Sequence, residues 1–179
     1  NGLELGAYNG SITMTAGGGN ETAPGILLEG STDRTDGFNG VVVVGGSLTA
    51  TGIGGITAKA ATGPLFFNTG VDITTNVGDL LLWANTTNVT SGTGNNGITL
   101  AGSNELTTNG GKIVLAGGLD DGSPSDGIPD GFAYRGGIAT NAIVIGSDVS
   151  LSSAGGDVTI RGQQNGSAQA VNINSGFTL

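Results

Sequence analysis

ITLAGSNELTTNGGKIVL, residues 98–115, decides the fold, because the same pattern returns twice without a gap. LFFNTGVDITTNVGDLLL (65–82) and IVIGSDVSLSSAGGDVTI (143–160) superimpose on it over all eighteen positions. Two partial copies precede these. VVVGGSLTATGIGGITA (42–58) fits with one residue deleted, and LELGAYNGSITM (3–14) matches the last two thirds. A further copy begins at Val171 and runs to Leu179. Self-similarity at this scale marks a chain built from stacked repeats.

Aligned, the copies give five apolar columns: Leu65/Ile98/Ile143, Phe67/Leu100/Ile145, Ile73/Leu106/Leu151, Leu80/Ile113/Val158 and Leu82/Leu115/Ile160. The first two columns lie two residues apart, as do the last two, so each pair occupies one face of a strand. Gly, Asn, Ser and Thr fall between them and turn the chain. Each unit therefore reads as three short strands separated by bends. No stretch keeps a helical period, and Gly (37 of 179 residues) recurs too often for a stable helix interior.

One such unit cannot bury its apolar face alone. Stacking each coil on the next, with equivalent strands about 4.8 Å apart, builds a continuous core. The expected fold is all-β: a parallel β-helix, or solenoid, with three short strands per coil. It should be right-handed, the hand that parallel crossovers favour. Residues 1–179 read as one β-helical segment. Within the repeat, Asn104 stands where Val71 and Val149 occupy the aligned column. An inward Asn bonded to backbone at a bend accounts for it.

Repeat starts at Val42, Leu65, Ile98, Ile143 and Val171 are unevenly spaced, although the coil itself is constant. The extra length enters after the third strand, at one corner. Insertions are expected over 17–40 and 118–141, with shorter ones at 59–64, 83–97 and 161–170. Pro24, Pro64, Pro124 and Pro129 all lie in that corner, where no ladder hydrogen bond is lost. Ten of the nineteen charged residues fall in 17–40 and 118–141, which marks those two insertions as the places for a specific site.

Net charge is −9, which excludes the basic stripe that nucleic acid demands and disfavours anionic lipid. No transmembrane run or signal peptide is present, so no membrane insertion is expected. Without Cys the redox compartment is not fixed. The chain begins at Asn1 without Met and stops within a repeat, as a piece of a larger precursor would. Sequons at Asn20, Asn85, Asn88 and Asn165 are what a chain rich in Asn and Thr contains by composition alone.

GGKIVLAGG (110–118) and GGDVTIRG (155–162) carry a resemblance that extends over nearly the whole chain. With the L-T-T-x-G-G-x-I-x-L pattern around them, they resemble the β-strand repeats of filamentous-haemagglutinin-like bacterial exoproteins. The resemblance implies a shaft of an adhesin, placed outside the cell or on the bacterial surface. Its partners would be neighbouring β-helical segments of the same or identical chains. The secretion-signal domain of that family is not recognisable here.

Three features stand against that structural background. GGLDDGSPSDGIPDGFAYRGG (117–137) places Asp120, Asp121, Asp126 and Asp130 within eleven residues, among turn-forming Gly and Pro. Several carboxylates with loop carbonyls form the oxygen set that calcium takes, whereas Asx-turns in a solvated loop use the same residues. SDGIPDG resembles the end of a thrombospondin type 3 calcium repeat, with Asp126, Gly127 and Asp130 matching. Trp83 should point outward beside Leu82; with Phe132 and Tyr134 it forms either a glycan-stacking surface or a cluster that pins the loop. Thr74/Thr107/Ser152 and Thr75/Thr108/Ser153 form a ladder that turn chemistry explains. The chain contains no His and shows no nucleophile elbow or phosphate loop, so no catalytic role is expected.

Overall fold

A computed structural model of the chain describes residues 3–7, 12–14, 21–23, 25–30, 42–92, 94–122, 125–137 and 140–179. Their regular structure is all β, and no helix occurs among the described residues. Three large sheets dominate. The first holds, in order, Ile12–Met14, Val42–Val44, Leu65–Phe67, Ile98–Gly102, Ile143–Ser147 and Val171–Ile173. The second holds Glu21–Ala23, Leu48–Ala50, Asp72–Thr75, Glu105–Thr108 and Ser150–Ser152. The third holds Leu3–Ala7, Ile26–Gly30, Ile56–Ala60, Leu80–Ala84, Ile113–Gly117 and Val158–Ile160. Neighbours in all three are parallel, and the chain visits first, second and third sheets before starting again.

Register makes the sequence columns into spatial neighbours. Val42 pairs with Leu65, Leu65 with Ile98, Ile98 with Ile143, and Ile143 with Val171. Likewise Leu106 lies between Ile73 and Leu151, and Ile113 between Leu80 and Val158. Leu65, Phe67, Ile73, Leu80 and Leu82, with their equivalents over 98–115 and with Ile143, Ile145 and Leu151, are buried in one apolar cluster, against which Val158 and Ile160 pack half-buried. Burying each such side chain contributes about 1.5–3 kcal/mol before chain entropy is counted.

The bend between second and third sheets has its own chemistry. Thr75 and Thr108 end their strands pointing inward, and their hydroxyls donate to the carbonyls of Gly78 and Gly111. Glycines then stack from one circuit to the next. A Cβ at Gly78 would lie 2.2 Å from Gly55 N, and one at Gly111 2.2 Å from Gly78 O. Neither separation is possible for a real side chain, so this corner requires Gly. Asn104 is buried as expected, its Nδ2 donating to Asn68 O at 2.6 Å and its Oδ1 accepting from Gly102 N at 3.2 Å.

Two expectations near the N-terminus change. Residues 3–14 are not the last two thirds of one unit: Leu3–Ala7 joins the third sheet, and Ile12–Met14 opens the next circuit in the first. The segment 17–40 is not one insertion either, because Glu21–Ala23 and Ile26–Gly30 are sheet strands within it. Ile26 and Leu28 supply the apolar pair of that circuit. The strand Glu21–Ala23 offers only Ala as an apolar residue, so the repeat is hard to see there. Residues 15–20, Pro24 and 31–41 lie outside the described residues.

Candidate functional site

The long corner segments are organised against one another. Asn95–Asn96, Ala133–Arg135 and Gly162–Gln164, from three successive segments, form a small fourth sheet. Asn96 pairs with Tyr134 in antiparallel sense, and Ala133 with Gly162 in parallel sense. Sequence reading missed this sheet, because strands of two or three residues carry no visible period.

Asn85 joins the segments. It sits 1% exposed at φ +56°, a left-handed conformation that Asn tolerates better than most residues. Its Nδ2 donates to Val89 O (3.0 Å) and Phe132 O (3.2 Å). Its Oδ1 accepts from Val89 N (2.8 Å) and Asn96 Nδ2 (3.1 Å). Gly118 N donates to the Asn85 carbonyl at 3.2 Å. A residue read only as a chance sequon therefore organises the corner.

The aromatics act in the same way. Trp83 leaves the strand on the face opposite Leu82, as expected, yet it is only 8% exposed. Its Nε1 donates to Gly118 O at 2.7 Å, and the Lys59 ammonium lies 4.6 Å from the ring centroid. Tyr134 is fully buried, its hydroxyl donating to Gly92 O at 3.1 Å. Phe132 alone of the three is exposed, at 46%. The surface expected from Trp83, Phe132 and Tyr134 is thus reduced to one ring, and the other two pin the segment.

The four aspartates shape the loop. Asp120 accepts from the Ser125 hydroxyl, from Gly127 N (2.9 Å) and from Asp126 N (3.3 Å). These bonds, the Ser125 one foremost, hold its carboxyl below the ordinary value despite some desolvation. Asp126 Oδ1 accepts from Ile128 N at 3.0 Å, and Asp130 Oδ2 from Gly122 N at 2.6 Å. Asp121 is exposed beside them. Among the described residues, no group of three or more acidic side chains converges as metal ligands. Arg161 Nη1 ties the loop to the third sheet by donating to Asp130 O (3.0 Å) and Pro129 O (3.3 Å). Nearby, burial draws the Arg135 guanidinium below its ordinary value, which still leaves it charged.

The Thr ladder divides between two faces: Thr75 and Thr108 are buried at the corner, while Thr74 and Thr107 are half-buried. Compared with known proteins, the chain matches no family model, no curated protein and no solved structure.

Proposed function

We propose that the chain is a right-handed parallel β-helix that serves as a shaft segment of a large secreted or cell-surface bacterial protein of the adhesin type. The observation that supports this is the unbroken in-register stacking of equivalent residues through three parallel sheets. In such a stack each coil binds its neighbours through ladders on three sides. Bending the rod means straining all three together, so the element is stiff without needing a ligand. The corner segments then decorate the rod, held by Asn85, Trp83 and Tyr134.

Intact mass of the native polypeptide from its source tests the reading. A mass several-fold above 17.4 kDa supports a shaft that continues beyond these coils. A mass near 17.4 kDa sinks it and leaves self-association of identical chains as the better account.

A further inference from the structure

Between residues 126–130 of the long corner segment and the outer side of the third sheet lies a cleft of about 220 Å³. Asp126, Ile128 and Asp130 line the loop wall, and Lys112, Asp157 and Arg161 line the sheet wall. Some of this polar capacity is already used. Arg161 Nη1 donates to two loop carbonyls, Asp130 accepts from Gly122 N, and one oxygen of Asp126 accepts from Ile128 N. The Lys112 ammonium and the Asp157 carboxylate take part in no side-chain hydrogen bond or ion pair among the described residues. Both line the same cleft as Asp126.

That inventory selects a ligand by charge. Lys112 and Arg161 oppose a bare metal cation, and no metal-ligating group of three acids forms among the described residues. A simple anion meets three carboxylates against two bases, Lys112 and Arg161. A neutral polyol would desolvate the carboxylates without compensating their charge, which costs free energy. A small zwitterion answers both signs, and Val114, Ile128 and Pro129 give it an apolar contact. We propose that this cleft binds a free α-amino acid with a small aliphatic side chain, its ammonium between Asp126 and Asp157 and its carboxylate toward Lys112. The proposal is independent of the shaft reading.

Titration calorimetry of the whole chain with L-valine tests it, alongside valine methyl ester, isobutyrate and glucose. L-Valine is expected to bind with a Kd of about 1 mM or tighter. The ester and isobutyrate, each lacking one charge, should bind at least about tenfold more weakly. Asp157→Asn and Lys112→Met should each weaken valine binding by a similar factor while the melting temperature stays unchanged. Asp126→Asn, in the exposed loop, replaces either variant that melts early. No heat with valine overturns the proposal, as does valine binding indifferent to these variants. Glucose binding that Asp157→Asn abolishes also overturns it, in favour of a polyol.

Discussion

Asn96 Nδ2 donates to Asn85 Oδ1 at 3.1 Å, and both residues are 1% exposed. This bond joins the start of one corner segment to the strand that ends it, Asn95–Asn96, which in turn pairs with Ala133–Arg135. Asn96 keeps its own Oδ1 buried with no partner, so its hold on the corner comes through Nδ2. The arrangement concentrates the cohesion of two segments on one amide, that of Asn85.

Asn85→Ala is therefore expected to destabilise the corner far more than an average polar truncation. It strands Val89 N, Phe132 O and Asn96 Nδ2, and it puts Ala at a left-handed φ. Unpaired buried groups cost about 1–3 kcal/mol each, with partial relaxation. A loss of about 3 kcal/mol in denaturant unfolding is expected, with faster amide exchange at residues 118–135 than in the three large sheets. Uniform exchange throughout would count against a local role for Asn85.

Trp83→Phe separates the hydrogen bond from the packing. An aromatic ring is kept, though smaller than the indole, and the 2.7 Å donation to Gly118 O is lost. A cost of about 1–2 kcal/mol is expected, since a buried carbonyl loses its donor. Trp83 is the only Trp, so its own fluorescence reports the state of the loop in the native chain. Emission should be blue-shifted when folded and move to the red when the 118–131 segment is released. Red emission under native conditions would mean that the ring is not covered.

The large sheets were legible because their signal is redundant: Leu65, Ile98 and Ile143 each announce the same column, and their pairing follows. What escaped was not repeated. Nothing in the local pattern around Asn85 distinguishes it from Asn88, since both precede the same sequon spacing. Tyr134 reads as a loop aromatic until its partners in 92–96 are brought beside it. The strand Glu21–Ala23 was hidden because Glu21 stands in register with Leu48, in the column that later strands fill with Leu or Ile. Long-range side-chain bonds and a strand that breaks its apolar column leave no period to count.

Adjacent glycines in one turn should respond very differently to the same substitution. At Gly111 a Cβ meets the Gly78 carbonyl oxygen at 2.2 Å, whereas at Gly110 it meets nothing within 4 Å and only φ +105° opposes it. Gly111→Ala forces backbone of two circuits apart and should cost about 3 kcal/mol or more. Gly110→Ala should cost about 1–2 kcal/mol through backbone strain. Thermal unfolding of the two variants side by side checks the ranking, and equal losses would remove the stacked-corner argument.

Acid should loosen the 118–131 segment before it affects the sheets. Asp120 has a folded carboxyl below its ordinary value, chiefly through the Ser125 hydroxyl and then the Gly127 and Asp126 amides. A depressed folded value stabilises the loop fully above the unfolded value, and that contribution is lost as pH falls through the folded one, below about pH 4. Asp120 is only partly shielded from solvent, so the effect is one of loop order rather than global stability. Trp83 emission followed from neutral pH downward should shift red in that window, while far-ultraviolet circular dichroism holds. Asp120→Asn should show the shifted emission already at neutral pH and lose the acid step. The same titration with calcium present separates capping from metal binding. If the carboxylates serve as loop caps, calcium leaves the step where it is. A step moved to lower pH by calcium would show that Asp120 and its neighbours hold the ion.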